Sequence, residues 1–205
     1  AKSHLPSQDH LRQLLTYDPD NGLLTWKHRR PEIFNCSDAA IRLKVANAWN
    51  KTHAGREAFT SIDNYGYRCG AINNRKTRAH IVIWVIYHGE IPLHDVDHEN
   101  GVRLDNRIAN LRLATRDQNN ANQKIRVGGS SQYKGVCWHG QASKWTAGIG
   151  VAGRRRHLGI FTDEASAARA YDAAAIAEWG EHARTNFVHK DRPATAADVR
   201  NYFGK

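Results

Sequence analysis

Residues 95–123 read DVDHENGVRLDNRIANLRLATRDQNNANQ, and the spacing inside this stretch decides how the rest of the chain is read. Asp97 and His98 stand side by side; Asn106 follows His98 by eight residues, Asn110 by twelve, and Asn119 lies nine beyond Asn110. Asp95 to His98 is expected to form a short strand, followed by a loop turning on Asn100-Gly101. Asn110 to Ala114 is expected to be a second strand, with Leu111 and Leu113 on one face by the period-two rule. Thr115 with Gln118 three residues later fits a capping box, so a helix should begin near Arg116 and carry Asn119 in its first turns. Strand, loop, strand and helix could then hold a metal between Asp97 and Asn119. A carboxylate oxygen and a neutral amide oxygen suit magnesium or manganese better than zinc. His98, with an ordinary pKa of about 6.5, is neutral near physiological pH and is the candidate general base. Asn110 is expected to meet the ring and fix its direction. Asp105-Asn106-Arg107 reads as a loop brace, with Asn106 kept as a possible site residue. Asn120 and Asn122 lie close enough to Asn119 to compete as ligands, and Asn122 is kept as a possible site residue. Together these residue types suit metal-assisted hydrolysis of a phosphodiester.

The stretch resembles the HNH (ββα-metal) nucleases, above all the homing endonucleases of phages and mobile introns. The likeness rests on Asp97-His98 followed by Gly101, on Asp105-Asn106-Arg107 and on Asn110-Leu111-Arg112. LLTYDPDNGLLTW (14–26) and Ala79-His80 ahead of an apolar segment look like the same family, so the similarity extends over most of 5–123. The resemblance implies that Asp97 and Asn119 bind Mg2+ or Mn2+, that His98 is the base and that Asn110 positions it. It also implies products with 5′-phosphate and 3′-hydroxyl ends. Asn119 stands where many members carry histidine, which should favour magnesium over transition metals. His80 reads first as a histidine at a helix start and second as a site residue. Arg78 and Arg107 read as phosphate contacts rather than catalysts.

Charge supports a polyanionic partner. The 205 residues hold 30 Lys and Arg against 20 Asp and Glu, a formal charge of +10. Residues 118–162 contain no acid, and neither do residues 64–89; the first stretch includes Lys124, Arg126 and Lys144, the second Arg68, Arg75 and Lys76. No apolar run reaches the roughly 20 residues a membrane span needs. The N-terminus lacks signal-peptide grammar, and three scattered cysteines form no C-x-x-C pair, so a cytoplasmic setting in a bacterial or phage-infected cell is expected. The sequence has no methionine, so the initiator is expected to have been removed or to lie outside it.

Upstream, Leu11, Leu14 and Leu15 suggest a short amphipathic helix, and DPDNG (18–22) a turn into a strand at 23–26. Two further strands are expected around Tyr65 to Arg68 and Arg78 to His80, then an apolar helix near Ile81 to Tyr87. Downstream, VGGSS (127–131) reads as a flexible join. Beyond it three strands are expected, 135–139, 144–152 and 154–161, then a helix capped by Thr162 with acids in its first turn and Gly180 at its end. Trp145, Ala147, Ile149 and Val151 share one strand face; Lys144, Thr146, Gly148 and Gly150 share the other. YKGVCWH, KWTAGI, RHLGIF, AARAYDAAAIAEWG and TNF, over about 132–187, resemble the plant ethylene-response-factor (APETALA-type) DNA-binding domain. That resemblance implies a sheet entering the major groove. Lys134, Cys137, His139, Lys144, Arg155 and His157 match its contact positions. Cys137 and His157 replace an arginine and a tryptophan usual there, so the target sequence should differ. Arg154 and Arg156 are expected to hold phosphate, and Trp145 and Phe161 to pack in the core.

The expected fold class is α+β: a ββα-metal nuclease domain followed by a three-stranded antiparallel sheet packed on one helix. Its parts are 1–62, an N-terminal helix and strand region of the nuclease module; 63–123, catalytic; 124–131, linker; 132–189, DNA-binding; and 190–205, tail. The leading expectation is a site-directed endonuclease acting on double-stranded DNA, as a monomer with dimerisation open, and needing no protein partner or membrane. The alternative is a transcription-factor-like DNA-binding protein with a vestigial nuclease site. A restriction enzyme lacks a methylase partner or zinc frame to support it, and RNA binding fits the charge better than the groove-reading sheet.

Overall fold

In the computed structural model, which describes residues 5–125 and 128–187, Ser7 opens the first helix by accepting from the His10 amide. That helix, α1 (Gln8–Leu14), buries Leu11 and Leu14. Leu15 leaves it as the first residue of β1 (Leu15–Asp18), which pairs antiparallel with β2 (Leu23–Trp26). The Asp18 side chain closes the turn by accepting from the amides of Asp20 and Asn21 at 3.0 and 3.2 Å.

Helix α2 (Ala39–His53), capped by Asp38, has no counterpart in the sequence reading. Ile41, Leu43 and Val45 are exposed and only Ala46 is buried, so the helix shows no apolar stripe to betray it. Its C-terminal half is held by rings: Trp49 meets Trp26 edge-on at 5.7 Å, and the Arg29 guanidinium lies 3.8 Å from the Trp49 centroid. β3 (Glu57–Ala58) extends the β1–β2 hairpin.

β4 (Ser61–Ile62), β5 (Arg68–Ile72) and β6 (Arg75–Arg78) form a second antiparallel sheet in that order. Asn73 and Asn74, at φ 50° and 60°, make the hairpin turn that the sequence reading missed. Two expectations are corrected here. Tyr65-Gly66 is a turn, because Asp63 Oδ1 accepts from the Tyr65 and Tyr67 amides, so the strand starts at Arg68. His80 lies not in a strand but in α3 (Ala79–His88), whose buried Val82, Ile83 and Val85 join Leu11, Leu14, Leu24, Val96 and Leu111 in one core. β7 (Asp95–His98) then pairs with β8 (Leu111–Ala114), as expected.

The fold is thus mixed α and β, with several small antiparallel sheets. It divides into two compact units, Ala1–Leu113 and Ala114–Lys205, a boundary ahead of the glycine-serine join. In the second unit α4 (Arg116–Ala121) starts with the expected capping box between Thr115 and Gln118. β9 (Val136–His139), β10 (Lys144–Val151) and β11 (Arg154–Phe161) form an antiparallel sheet with β10 central. α5 (Glu164–Trp179) packs on it, Ala167, Ala168, Tyr171, Ala174 and Ala175 against Val136, Ala147 and Ile149. Its cap is Asp163 rather than Thr162, since the Asp163 carboxylate accepts from the Ser166 amide at 2.7 Å. Gly135 lets β9 approach the helix: a Cβ there, at φ +79°, would sit 1.9 Å from the Tyr171 ring. Arg126 and Val127 of the expected linker, 188–189 of the expected DNA-binding domain and the tail 190–205 lie outside the described residues.

Candidate active site

Strand β7 carries Asp97 and His98 into the first unit's interior, where they are 7% and 3% exposed. Directly adjacent strand residues point to opposite faces, so the two side chains enter different surroundings. Asp97 Oδ2 accepts from Arg112 Nε on β8 at 3.3 Å. His98 points into a buried aromatic pocket. Its ring centroid lies 5.0 Å from His80, edge to face, and 5.8 Å from Tyr67.

His98 Nε2 lies 3.0 Å from Asn106 Oδ1. An amide oxygen only accepts, so Nε2 carries the hydrogen and Nδ1 carries the lone pair. The expectation that Asn110 meets the ring is therefore corrected. Asn110 is engaged inside the loop: its Oδ1 accepts from the Asn100 amide at 3.0 Å, and its Nδ2 donates to the Asp105 carbonyl at 2.8 Å. It organises the loop that delivers Asn106.

Asn106 is itself braced from the other end of the chain. Tyr17 Oη on β1 donates to the Asn106 carbonyl at 2.9 Å. Gly22, in the β1–β2 turn, lies so close that an added Cβ would fall 2.5 Å from the Arg107 nitrogen. Neither contact could be read from the sequence, because nothing in YDPDNG marks a partner 89 residues away.

The local electrostatics favour neutral imidazoles. Burial pushes His98 below its ordinary value, against the opposing pull of the Asn106 hydrogen bond and the Asp97 charge. Burial, with repulsion from His98 and Arg78, pushes His80 down to about 3. His80 Nδ1 is buried with no hydrogen-bond partner. His80 is thus part of the pocket wall, facing the ring of His98.

Several expected phosphate contacts are tied down within the protein. Arg78 Nε donates to Asp63 at 2.8 Å, with its guanidinium over the Tyr67 ring. Arg107 grips Asp105 through Nε and Nη2, and that pair holds the Asp105 carboxyl down to about 2. Arg112 and Tyr67 were not among the expected site residues; cross-strand pairing and an unforeseen turn bring them in.

As to metal, no group of three or more His, Cys, Asp or Glu side chains is placed to hold an ion among the described residues. Asp97 is the buried carboxylate of the first unit, an oxygen donor of the kind a hard divalent cation takes. Asn119 belongs to the second unit, half-buried in α4, and Asn122 is buried at that helix's end.

The sheet of the second unit presents two unlike faces. Register places Lys144 opposite His139, Thr146 opposite Cys137, Gly148 opposite His157 and Gly150 opposite Arg155. Opposed residues share a face, so these eight line the side away from the core residues Ala147 and Ile149. Arg156 is opposite Ile149 and Arg154 opposite Val151, on the helix side. Arg156 accordingly reaches Glu178 of α5 at 3.7 Å. His139 Nδ1 accepts from the Ala142 amide. Lys134 is the clearest correction: its Nζ donates to the carbonyls of Ala121 and Gln123 instead of standing free for DNA.

Residues 77–121, the span from β6 through α4, match the family model of HNH endonucleases. The chain is 31% identical to Protein 3.8 of Escherichia phage T7 over 82 residues, which are 40% of this chain and 68% of that protein, and it belongs to the family of that phage protein. It is also similar to plant proteins. It is 51% identical over 61 residues to the AP2-like ethylene-responsive transcription factor PLT2 of Arabidopsis thaliana. It is 38% identical over 73 residues to APETALA2-like protein 2 of Oryza sativa subsp. japonica. These matches take in 29% and 36% of this chain but only 11% and 17% of the plant proteins. Among the described residues no helix is long and apolar enough to cross a membrane.

Proposed function

We propose that this chain is a metal-dependent, site-directed DNA endonuclease of the homing or free-standing phage type, with His98 as general base. The observation that carries the reading is the His98–Asn106 contact. A buried, neutral imidazole with Nε2–H fixed on an amide oxygen has its basic Nδ1 defined in tautomer and direction. His98 Nδ1 takes a proton from water as the water oxygen attacks phosphorus. The bond from phosphorus to the 3′ oxygen breaks, and that oxygen gains a proton, leaving 5′-phosphate and 3′-hydroxyl ends. Asp97 and Asn119 would hold the ion, which when bound neutralises charge on the scissile phosphate and on the departing oxygen. Arg112 keeps the Asp97 carboxylate oriented, and the Asn110-braced loop keeps Asn106 in place.

The outward sheet face, with Lys144, Arg155 and His157 over the bare Gly148 and Gly150, is the surface we assign to double-stranded DNA. The likeness to plant transcription factors supports a second reading, a DNA-binding protein without cleavage. The test is conversion of supercoiled plasmid and phage DNA to nicked and linear forms, with Mg2+, Mn2+ or chelator. Cutting that needs metal and His98 supports the nuclease; binding with no cutting of any DNA favours the second reading.

A further inference from the structure

The helix that carries Asn119 has its far end fastened to the DNA-reading sheet. α4 is only six residues long, under two turns, and a helix that short does not persist on its own. Its start is secured by the Thr115–Gln118 capping box. Its end leaves carbonyl oxygens without helical partners, at the negative pole of the peptide dipoles. Lys134 Nζ donates to one of them, Ala121 O, and also, at 2.8 Å, to Gln123 O just past the Asn122 cap. The Arg184 amide donates to Ala121 O as well, at 3.4 Å.

Lys134 is itself held by a rigid frame. Its backbone N–H donates to Asn186 Oδ1 at 2.6 Å, and its carbonyl accepts from Asn186 Nδ2 at 3.1 Å. Asn186 in turn donates through its amide nitrogens to Asp172 Oδ1, at 2.8 and 3.0 Å. Asp172 is a buried carboxylate on α5. The line from α5 to α4 is thus continuous: Asp172, Asn186, Lys134, then the carbonyls of Ala121 and Gln123. It spans the glycine-serine join without passing along it. Burial holds the Lys134 ammonium down to about 8, in keeping with a cation withdrawn from solvent.

We propose that Lys134 is a positioning residue that ties the reading sheet to α4, and so fixes the conformation of the short helix that carries Asn119. The proposal rests on the nuclease reading for the role of Asn119. It makes the DNA-reading domain a working part of the catalytic helix's support, instead of a tethered address label. It also predicts that a change at Lys134 alters turnover without altering affinity for DNA.

The test uses the full chain, free of metal, as wild type, Lys134→Met and Lys134→Arg. Amide hydrogen exchange is read at Asn119 and Asn122, with β10 amides as the internal control. Loss of a charged hydrogen-bond donor should speed exchange in α4 roughly tenfold in the Met variant. The β10 amides should stay as in wild type, and Arg, which also donates to carbonyls, should restore protection. In the same variants, random-sequence duplex should bind unchanged in chelator, while plasmid cleavage in Mg2+ slows for Met and recovers for Arg. Should the Met variant fail to fold, Lys134→Gln, too short to reach both carbonyls, carries the same comparison. Unchanged α4 exchange together with weaker, less salt-dependent DNA binding overturns the proposal and makes Lys134 a phosphate contact. The exchange result needs no catalysis, so its failure counts against the clamp alone. A wild-type chain that cuts no DNA counts against the nuclease reading instead.

Discussion

Asn106 and His98 meet through amide oxygen and ring Nε2 at 3.0 Å, with Asn106 only 1% exposed. The neighbouring Asn110 has both ends of its side chain engaged by the loop backbone. The two asparagines should therefore fail differently. Asn106→Ala removes the hydrogen bond at Nε2 and should lower kcat by roughly ten- to a hundredfold, the usual cost of losing a partner that orients a functional histidine. Steady-state cleavage of a plasmid, with a melting curve as control, checks this.

Asn110→Ala instead leaves the Asn100 amide and the Asp105 carbonyl without their side-chain partner. It should cost about 1–3 kcal/mol of stability. Urea denaturation of the variant measures it; an unchanged midpoint would mean that water replaces the side chain at no cost.

Gly22 has φ +71° and presses on the backbone of Asn106 and Arg107. Gly22→Ala combines left-handed strain of about 1–2 kcal/mol with a forced shift of the loop. Both stability and kcat should fall. Tyr17→Phe, which removes only the hydroxyl to the Asn106 carbonyl, should show a milder loss in the same direction.

His80 titrates near 3 in the folded chain and near its ordinary 6.5 when unfolded. Between those values the unfolded state binds the extra proton, so the stability contributed by neutral His80 is present above pH 6.5 and is lost as pH falls toward 3. His80→Phe should flatten the dependence of Tm on pH across that window. Parallel curves for the two proteins would show that His80 stays uncharged in both states or charged in both.

The fold's main beats were legible because their signals are local. The capping box at Thr115, the alternation in β10 and the apolar run of α3 each announce themselves within a few residues. α2 was not legible, since a helix that buries one alanine and leans on distant tryptophans has no periodic stripe. The candidate site was half legible. Asp97, His98 and the asparagines stood out by spacing. Which asparagine holds the ring depends on the path of a loop braced by Tyr17 and Gly22, far away in the chain. The same limit hid the internal partners of Lys134, Arg107 and Arg78: a basic side chain looks alike in sequence whether it faces phosphate, a carboxylate or a carbonyl.

Salt dependence separates those cases. Lys144→Ala and Arg155→Ala, on the outward sheet face, should each reduce the slope of log affinity against log salt by about 1. Arg156→Ala, already paired with Glu178, should change it less. Binding titrations at several salt concentrations decide, and equal slopes for all three would remove the assignment of the face.

The most direct measurement is relaxation of supercoiled plasmid by the wild-type chain and by His98→Ala, each with Mg2+ and with chelator. Nicked or linear product is expected only for wild type in Mg2+, with the variant still binding DNA. Cutting of equal rate by His98→Ala, or cutting by wild type that survives the chelator, would contradict that expectation.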